Sequence, residues 1–217
     1  MKRIVLSLFV VAGLVFSATS CKKATEENDA QDVATETMEA VKYTVDTNAS
    51  VIEWKGSKVA GSAHFGTLAL SNGEISVKDG AIEAGSFVID MNTITVLDLE
   101  DEEKKGWLEG HLKGNSEEKA DHFFNVGKFP EAKFEITSVT EGAIEGNLTL
   151  KETTKNVKIP VNVQVTENEL SIESETFVIN RTDWGVNYNS GSVIKDLAAD
   201  QVISDDIELK VAVKATK

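Results

Sequence analysis

The sequence predicts an all-β domain, an antiparallel meander that closes as a barrel or a sandwich and carries one short helical insertion near residues 101–113. Three observations predict it. From Tyr43 onward apolar and polar residues alternate with period two, which sends successive side chains to opposite faces of a strand. Turn-forming pairs recur at roughly ten-residue spacing, the rhythm of short strands in a closed sheet. Between Asp98 and Phe124 that alternation gives way to apolar residues four apart, the spacing of a helical stripe.

Composition sets the outer bounds. A chain of 217 residues is long enough for one domain with a real core, plus a leader and a tether. Its formal charge of -14 repels polyphosphate, so nucleic acid is not expected as a partner. Hydrophobic residues make up 41% and are spread along the chain, as in globular proteins and unlike disordered ones. The one cysteine, Cys21, excludes an internal disulfide, a CxxC redox pair and a thiolate metal cluster.

The chain opens with Lys2-Arg3, an apolar stretch from Ile4 to Phe16, and the small residues Ser17-Ala18-Thr19-Ser20 before Cys21. This is the order of a secretory leader, and its apolar part is too short to span a bilayer. The Ala-Thr-Ser-Cys ending resembles a lipobox, so residues 1–20 are expected to be a lipoprotein signal peptide and Cys21 the lipidated mature N-terminus. The alternative is an ordinary signal peptide with a chance cysteine. Several acyl chains on Cys21 would anchor the protein firmly, since each buried CH₂ adds about 0.8 kcal/mol. Residues 21–42 are rich in Glu, Asp, Thr and Ala, have little periodicity and read as an acidic, flexible tether. The expected location is the cell envelope, on a membrane facing the periplasm or the cell surface.

The domain occupies 43–217. Its clearest strand carries Val157, Ile159, Val161, Val163 and Val165 on one face and Lys158, Pro160, Asn162, Gln164 and Thr166 on the other. Pro160 lacks a backbone donor, so an edge or a bulge is expected there. The same pattern sets Ile144, Gly146, Leu148 and Leu150 against Glu145, Asn147, Thr149 and Lys151, and returns in Ile207, Leu209, Val211 and Val213. Turns are expected at Asn72-Gly73, Asp79-Gly80, Glu141-Gly142 and Glu167-Asn168. In the helical insertion Trp107 and His111, and Leu108 and Leu112, are four apart. Gly106 and Gly110 weaken that helix by about 1 kcal/mol each.

Catalytic and metal motifs are missing. No GxSxG elbow, Gly-rich phosphate loop or HExxH helix occurs, and His64, His111 and His122 share no ligand spacing. Carboxylates sit mainly on the wet phases of strands. No enzyme, metal or cofactor is expected. Phe123, Phe124, Phe129 and Phe134 gather around Pro130, and Phe177 opens another strand; such aromatics fill a β core or line a cavity, and the residues alone leave both open. Arg181 shares its phase with Phe177 and Ile179 and so points inward, where an unpaired charge costs several kcal/mol. It pairs with Asp183 or another carboxylate, or it meets a polar ligand head at a cavity mouth.

The series Gly61-Ser-Ala-His64-Phe-Gly66, Phe87-Val-Ile-Asp90-Met-Asn-Thr93, Asp121-His-Phe123-Phe124-Asn-Val, Phe129-Pro130-Glu-Ala-Lys-Phe134, Gly146-Asn-Leu-Thr-Leu-Lys-Glu-Thr-Thr154 and Phe177-Val-Ile-Asn-Arg181-Thr-Asp183-Trp184-Gly185 resembles the YceI-like family over about residues 43 to 215. The resemblance implies an antiparallel, eight-stranded, lipocalin-like barrel with a long apolar interior, and some members bind polyisoprenoids such as a quinone tail or a prenyl chain. It implies that Phe87, Phe123, Phe124, Phe134, Phe177 and Trp184 contact such a ligand or close its cavity, with Arg181 the first candidate for a polar head.

The leading expectation is a membrane-anchored lipoprotein that binds an apolar chain, a polyisoprenoid, quinone or similar lipid, in its barrel. The second is a structural or stress-related envelope protein with a packed barrel and a protein partner. An enzyme acting on a lipid has the weakest support, because the inner phases are almost entirely apolar. Oligomeric state is left open.

Overall fold

The computed structural model describes residues 28–217; the expected signal peptide, Cys21 and the first part of the expected tether lie outside them. Ten strands follow in chain order: β1 (Val41–Val45), β2 (Val51–Lys58), β3 (Ala63–Lys78), β4 (Ala81–Val96), β5 (Glu131–Thr140), β6 (Ala143–Leu150), β7 (Thr153–Val165), β8 (Glu169–Ser174), β9 (Phe177–Asn180) and β10 (Ile203–Thr216). Eight of them close a ring of antiparallel pairs, β10-β2-β3-β4-β5-β6-β7-β8 and back to β10. The expected eight-stranded closed sheet is therefore the fold.

Two positions in the ring are shared by two short strands. β2 lies between the first half of β3 and the middle of β10, and β1 continues the same position beside Glu74–Val77 and Ala215–Thr216. On the other side of β10, β8 pairs Glu169–Glu173 with Ala212–Thr216, and β9 pairs Phe177–Asn180 with Asp206–Leu209. Pro160 sits opposite the break between β8 and β9. The next residue, Val161, donates to Gly142 on the β6 side, so the proline nitrogen faces the break, where no donor is missed.

Three of the four expected turns connect strands. At Asp79-Gly80 both residues take positive φ, 51° and 80°, as a tight hairpin turn requires. Asn72-Gly73 is not a turn: it lies inside β3 at a register shift against β4. A Cβ on Gly73 would come within 2.6 Å of Val45 Cγ2, so this glycine makes room for β1 and the Asn-Gly pair serves a bulge.

The insertion is helix α1, Glu102–Lys113, within one residue of the expected 101–113. The Asp101 carboxylate caps it by accepting the N–H groups of Glu103 and Lys104, and Gly114 ends it at φ 76°. A 3-10 turn at Glu117–His122 then returns the chain to the barrel, and both pieces cover the end where β3 starts and β4 stops. The opposite end is filled by Tyr43, Val45, Ile75, Val77 and Leu170, all buried. Among the described residues no helix is long and apolar enough to cross a membrane.

The segment read from sequence as a tether is laid against the barrel from Asn28 on. The Asn28 carbonyl accepts from Asn156, Gln31 exchanges hydrogen bonds with the Asn147 side chain, Ala34 donates to Ile136, and Glu36 accepts from Ser76. It runs as a strap across β7, β6, β5 and β3 before entering β1. The pattern is unremarkable in sequence because the strap binds by its backbone and by short polar side chains, not by an apolar stripe.

Candidate functional site: an apolar cavity inside the barrel

Inward residues of nearly every strand surround a cavity of about 200 Å³. The alternation read from sequence builds its walls: Leu148 and Leu150 from β6, Val157, Ile159 and Val161 from β7, and Ile207, Leu209, Val211 and Val213 from β10. Many of these keep some accessible surface although they face inward, because the space between the staves is not filled. The wall that faces the space is apolar. An engineered apolar cavity of about 150 Å³ stays dry and takes up benzene, so this one suits hydrocarbon and not water.

Five of the aromatics named from sequence line it: Phe87, Phe123, Phe124, Phe134 and Phe177. Phe134 packs against Phe87 with ring centroids 6.2 Å apart and lies over Gly146, where a Cβ would come within 2.3 Å of its Cζ. Gly146 is thus the place where the ring fits. Trp184 is not in the wall. It is buried beside it, and its indole N–H donates to the Leu148 carbonyl at 3.0 Å. Sequence reading missed Trp54, Met91 and Leu112, which do line the cavity. Trp54 was legible as the inward phase of β2, and Leu112 as the stripe of α1.

Arg181 borders the cavity, but its guanidinium is used up by the protein. Nε donates to the Ser204 carbonyl at 2.9 Å, Nη1 to Val186 at 2.6 Å and Nη2 to Ile203 at 3.1 Å. Nη2 also lies 3.5 Å from Asp205 Oδ1, and the other oxygen of that carboxylate accepts from Ser192 at 2.5 Å. Burial pulls the guanidinium's pKa down, and the Asp205 charge opposes that pull. The expected partner Asp183 is replaced by Asp205, and the expected contact with a ligand head by three backbone carbonyls. The reason is local: Asn180 caps a 3-10 turn at Arg181–Trp184, which turns the arginine toward the start of β10.

The histidines fall into two settings. His64 Nδ1 meets Asp98 at 2.8 Å. Burial disfavours the Asp98 charge, but the Phe65 N–H and His64 outweigh it and hold the carboxyl below the usual carboxylate range. His111 and His122, unrelated in spacing, meet at 2.9 Å and are ringed by Trp107, Phe123 and Tyr188, with Tyr188 stacked on His122 at 4.1 Å. Among the described residues no group of three or more His, Cys, Asp or Glu is arranged to hold a metal.

A closed antiparallel ring of eight strands around an apolar space is the architecture of small barrels that enclose one ligand. The YceI-like domain family matches residues 43–215, and the chain belongs to that family. Among solved structures it is similar to a polyisoprenoid binding domain from Saccharophagus degradans, implicated in plant cell wall breakdown, at 14% identity and a TM-score of 0.56, covering 80% of this chain and 97% of that one. It is likewise similar to Burkholderia cenocepacia BcnA, at 18% identity and a TM-score of 0.55, covering 79% of this chain and 99% of that one. No curated protein sequence matches it.

Proposed function

We propose that this protein is a carrier, not an enzyme, that holds one apolar chain, a polyisoprenoid, isoprenoid quinone or similar lipid, inside its barrel. The observation that carries the reading is the apolar cavity walled by inward side chains from around the ring. Burying a hydrocarbon tail there is worth about 25 cal/mol per Å², so affinity needs few polar contacts. The similarity to a polyisoprenoid binding domain supports the same ligand class. In this reading residues 1–20 are removed, Cys21 is acylated, and the carrier stays tethered in the cell envelope. The packed-barrel alternative with a protein partner is disfavoured by the unfilled interior.

The test is organic extraction of the protein purified from its native membrane, with mass spectrometry of the extract and of the intact chain. A stoichiometric isoprenoid and an acylated Cys21 are expected. A protein that yields no lipid and takes up no added quinone or prenyl chain would overturn the carrier reading.

A further inference from the structure

We propose that the helix-capped end of the barrel docks on a lipid bilayer, so that the cavity meets the same membrane that holds the acylated Cys21. The inference rests on the anchoring reading above and adds to it an orientation and a surface. Exposed large apolar side chains are unevenly placed. Of ten among the described residues, six lie at this one end: Val59, Phe65, Leu97, Trp107, Val193 and Ile194. They come from the β2–β3 turn, the start of β3, the end of β4, helix α1 and the loop before β10. The backbone ties several of these together, with Leu97 donating to the Phe65 carbonyl and Val59 to that of Val202. Trp107 is 61% exposed on α1, one turn from residues that line the cavity. A rim of aromatic and aliphatic side chains around a capped opening has the chemistry of an interfacial membrane contact.

The strap supplies an independent constraint. Asn28 is bonded to Asn156, near the start of β7, and β7 starts at the helix-capped end. Only seven residues separate Cys21 from Asn28, which span at most about 25 Å when fully extended. The longest strands have 16 residues, about 53 Å along the strand and about 40 Å along the axis of a barrel with ordinary tilt. If the filled end faced the membrane, Asn28 would stand about 40 Å away, farther than its connection to Cys21 reaches. The lipid anchor and the exposed rim therefore select the same end. The first turn of α1 holds Glu102 and Glu103, so a zwitterionic surface suits this face better than an anionic one.

The experiment uses the full mature chain on vesicles of phosphatidylcholine, either plain or brominated along the acyl chains, with tryptophan emission as the readout. Bromine quenches an indole only at close range, and Trp54 and Trp184 are inside the barrel or beside its wall. Emission should fall by more than half of the Trp107 contribution on brominated vesicles, and Trp107→Phe should abolish that loss. Phe65→Asp combined with Leu97→Asp should weaken the quenching while leaving uptake of detergent-dispersed quinone unchanged. An acylated, vesicle-bound chain whose emission is the same on both kinds of vesicle overturns this orientation alone. An intact mass that shows no acyl chain overturns the anchoring reading and this inference with it.

Discussion

His111 Nε2 lies 2.9 Å from His122 Nδ1, a bond that one shared proton makes and a second proton breaks. The pair joins α1 to the 3-10 turn after it, and Tyr188 from the loop before β10 closes over both rings. It therefore helps hold the cap on the barrel.

That pair predicts an acid-sensitive cap. Burial, then the charges of His122 and Lys119, hold the His111 pKa below the ordinary histidine value. The unfolded chain then binds the proton more readily than the folded one. This contribution to stability is complete above the ordinary value of about 6.5 and is lost as pH falls through it toward the lower folded value. Thermal melts between about pH 7.5 and 5.5 should show Tm falling in the wild type and falling less in His111→Gln. Equal slopes for the two would remove the pair from the explanation.

Arg181 is a brace, and its loss should be costly. Arg181→Ala leaves the buried Asp205 carboxylate and three backbone carbonyls without their partner, which should cost about 3–5 kcal/mol in chemical denaturation. Arg181→Lys should recover little, because a point-charge ammonium cannot serve three carbonyls at once. A loss below about 1 kcal/mol would mean that the guanidinium is not structural.

Two glycines separate the wall from its contents. Gly66→Ala would place a Cβ 1.7 Å from the Thr95 carbonyl oxygen, a backbone clash that should cost several kcal/mol and show as lost expression of folded protein. Gly146→Ala meets only the tip of the Phe134 ring, which can swing into the open space. It should leave the barrel folded, with a cost of about 1–3 kcal/mol, and reduce lipid uptake.

Sequence reading reached furthest where short-range physics decides the outcome. The β7 and β10 alternations became cavity walls, and the Asp101 cap with Gly114 bounded α1 where the apolar stripe said it would lie. It fell short where partners are distant in the chain. Asp205 is 24 residues from Arg181, while Asp183 is two, and nearness in sequence favoured the wrong carboxylate. His111 and His122 meet only because Gly114 reverses the chain after α1. Asn72-Gly73 reads as a turn because the same dipeptide freedom that makes a hairpin also makes a bulge. Whether inward aromatics fill or line a barrel depends on ring circumference, which no local pattern encodes.

An overfilled interior separates carrying from folding. Val157→Phe together with Ile159→Trp adds bulk to side chains that face open space, so stability should change by no more than about 1–3 kcal/mol while the ligand is displaced. A collapse of the fold would indicate that these positions were already tightly packed.

The hollow, occupied barrel is tested most directly by native mass spectrometry of the mature chain titrated with an isoprenoid quinone, beside the Val157→Phe, Ile159→Trp variant. The account predicts a saturable one-to-one complex for the wild type and at least tenfold weaker uptake for the variant. No complex, or ligand added without saturation equally to both proteins, would contradict it.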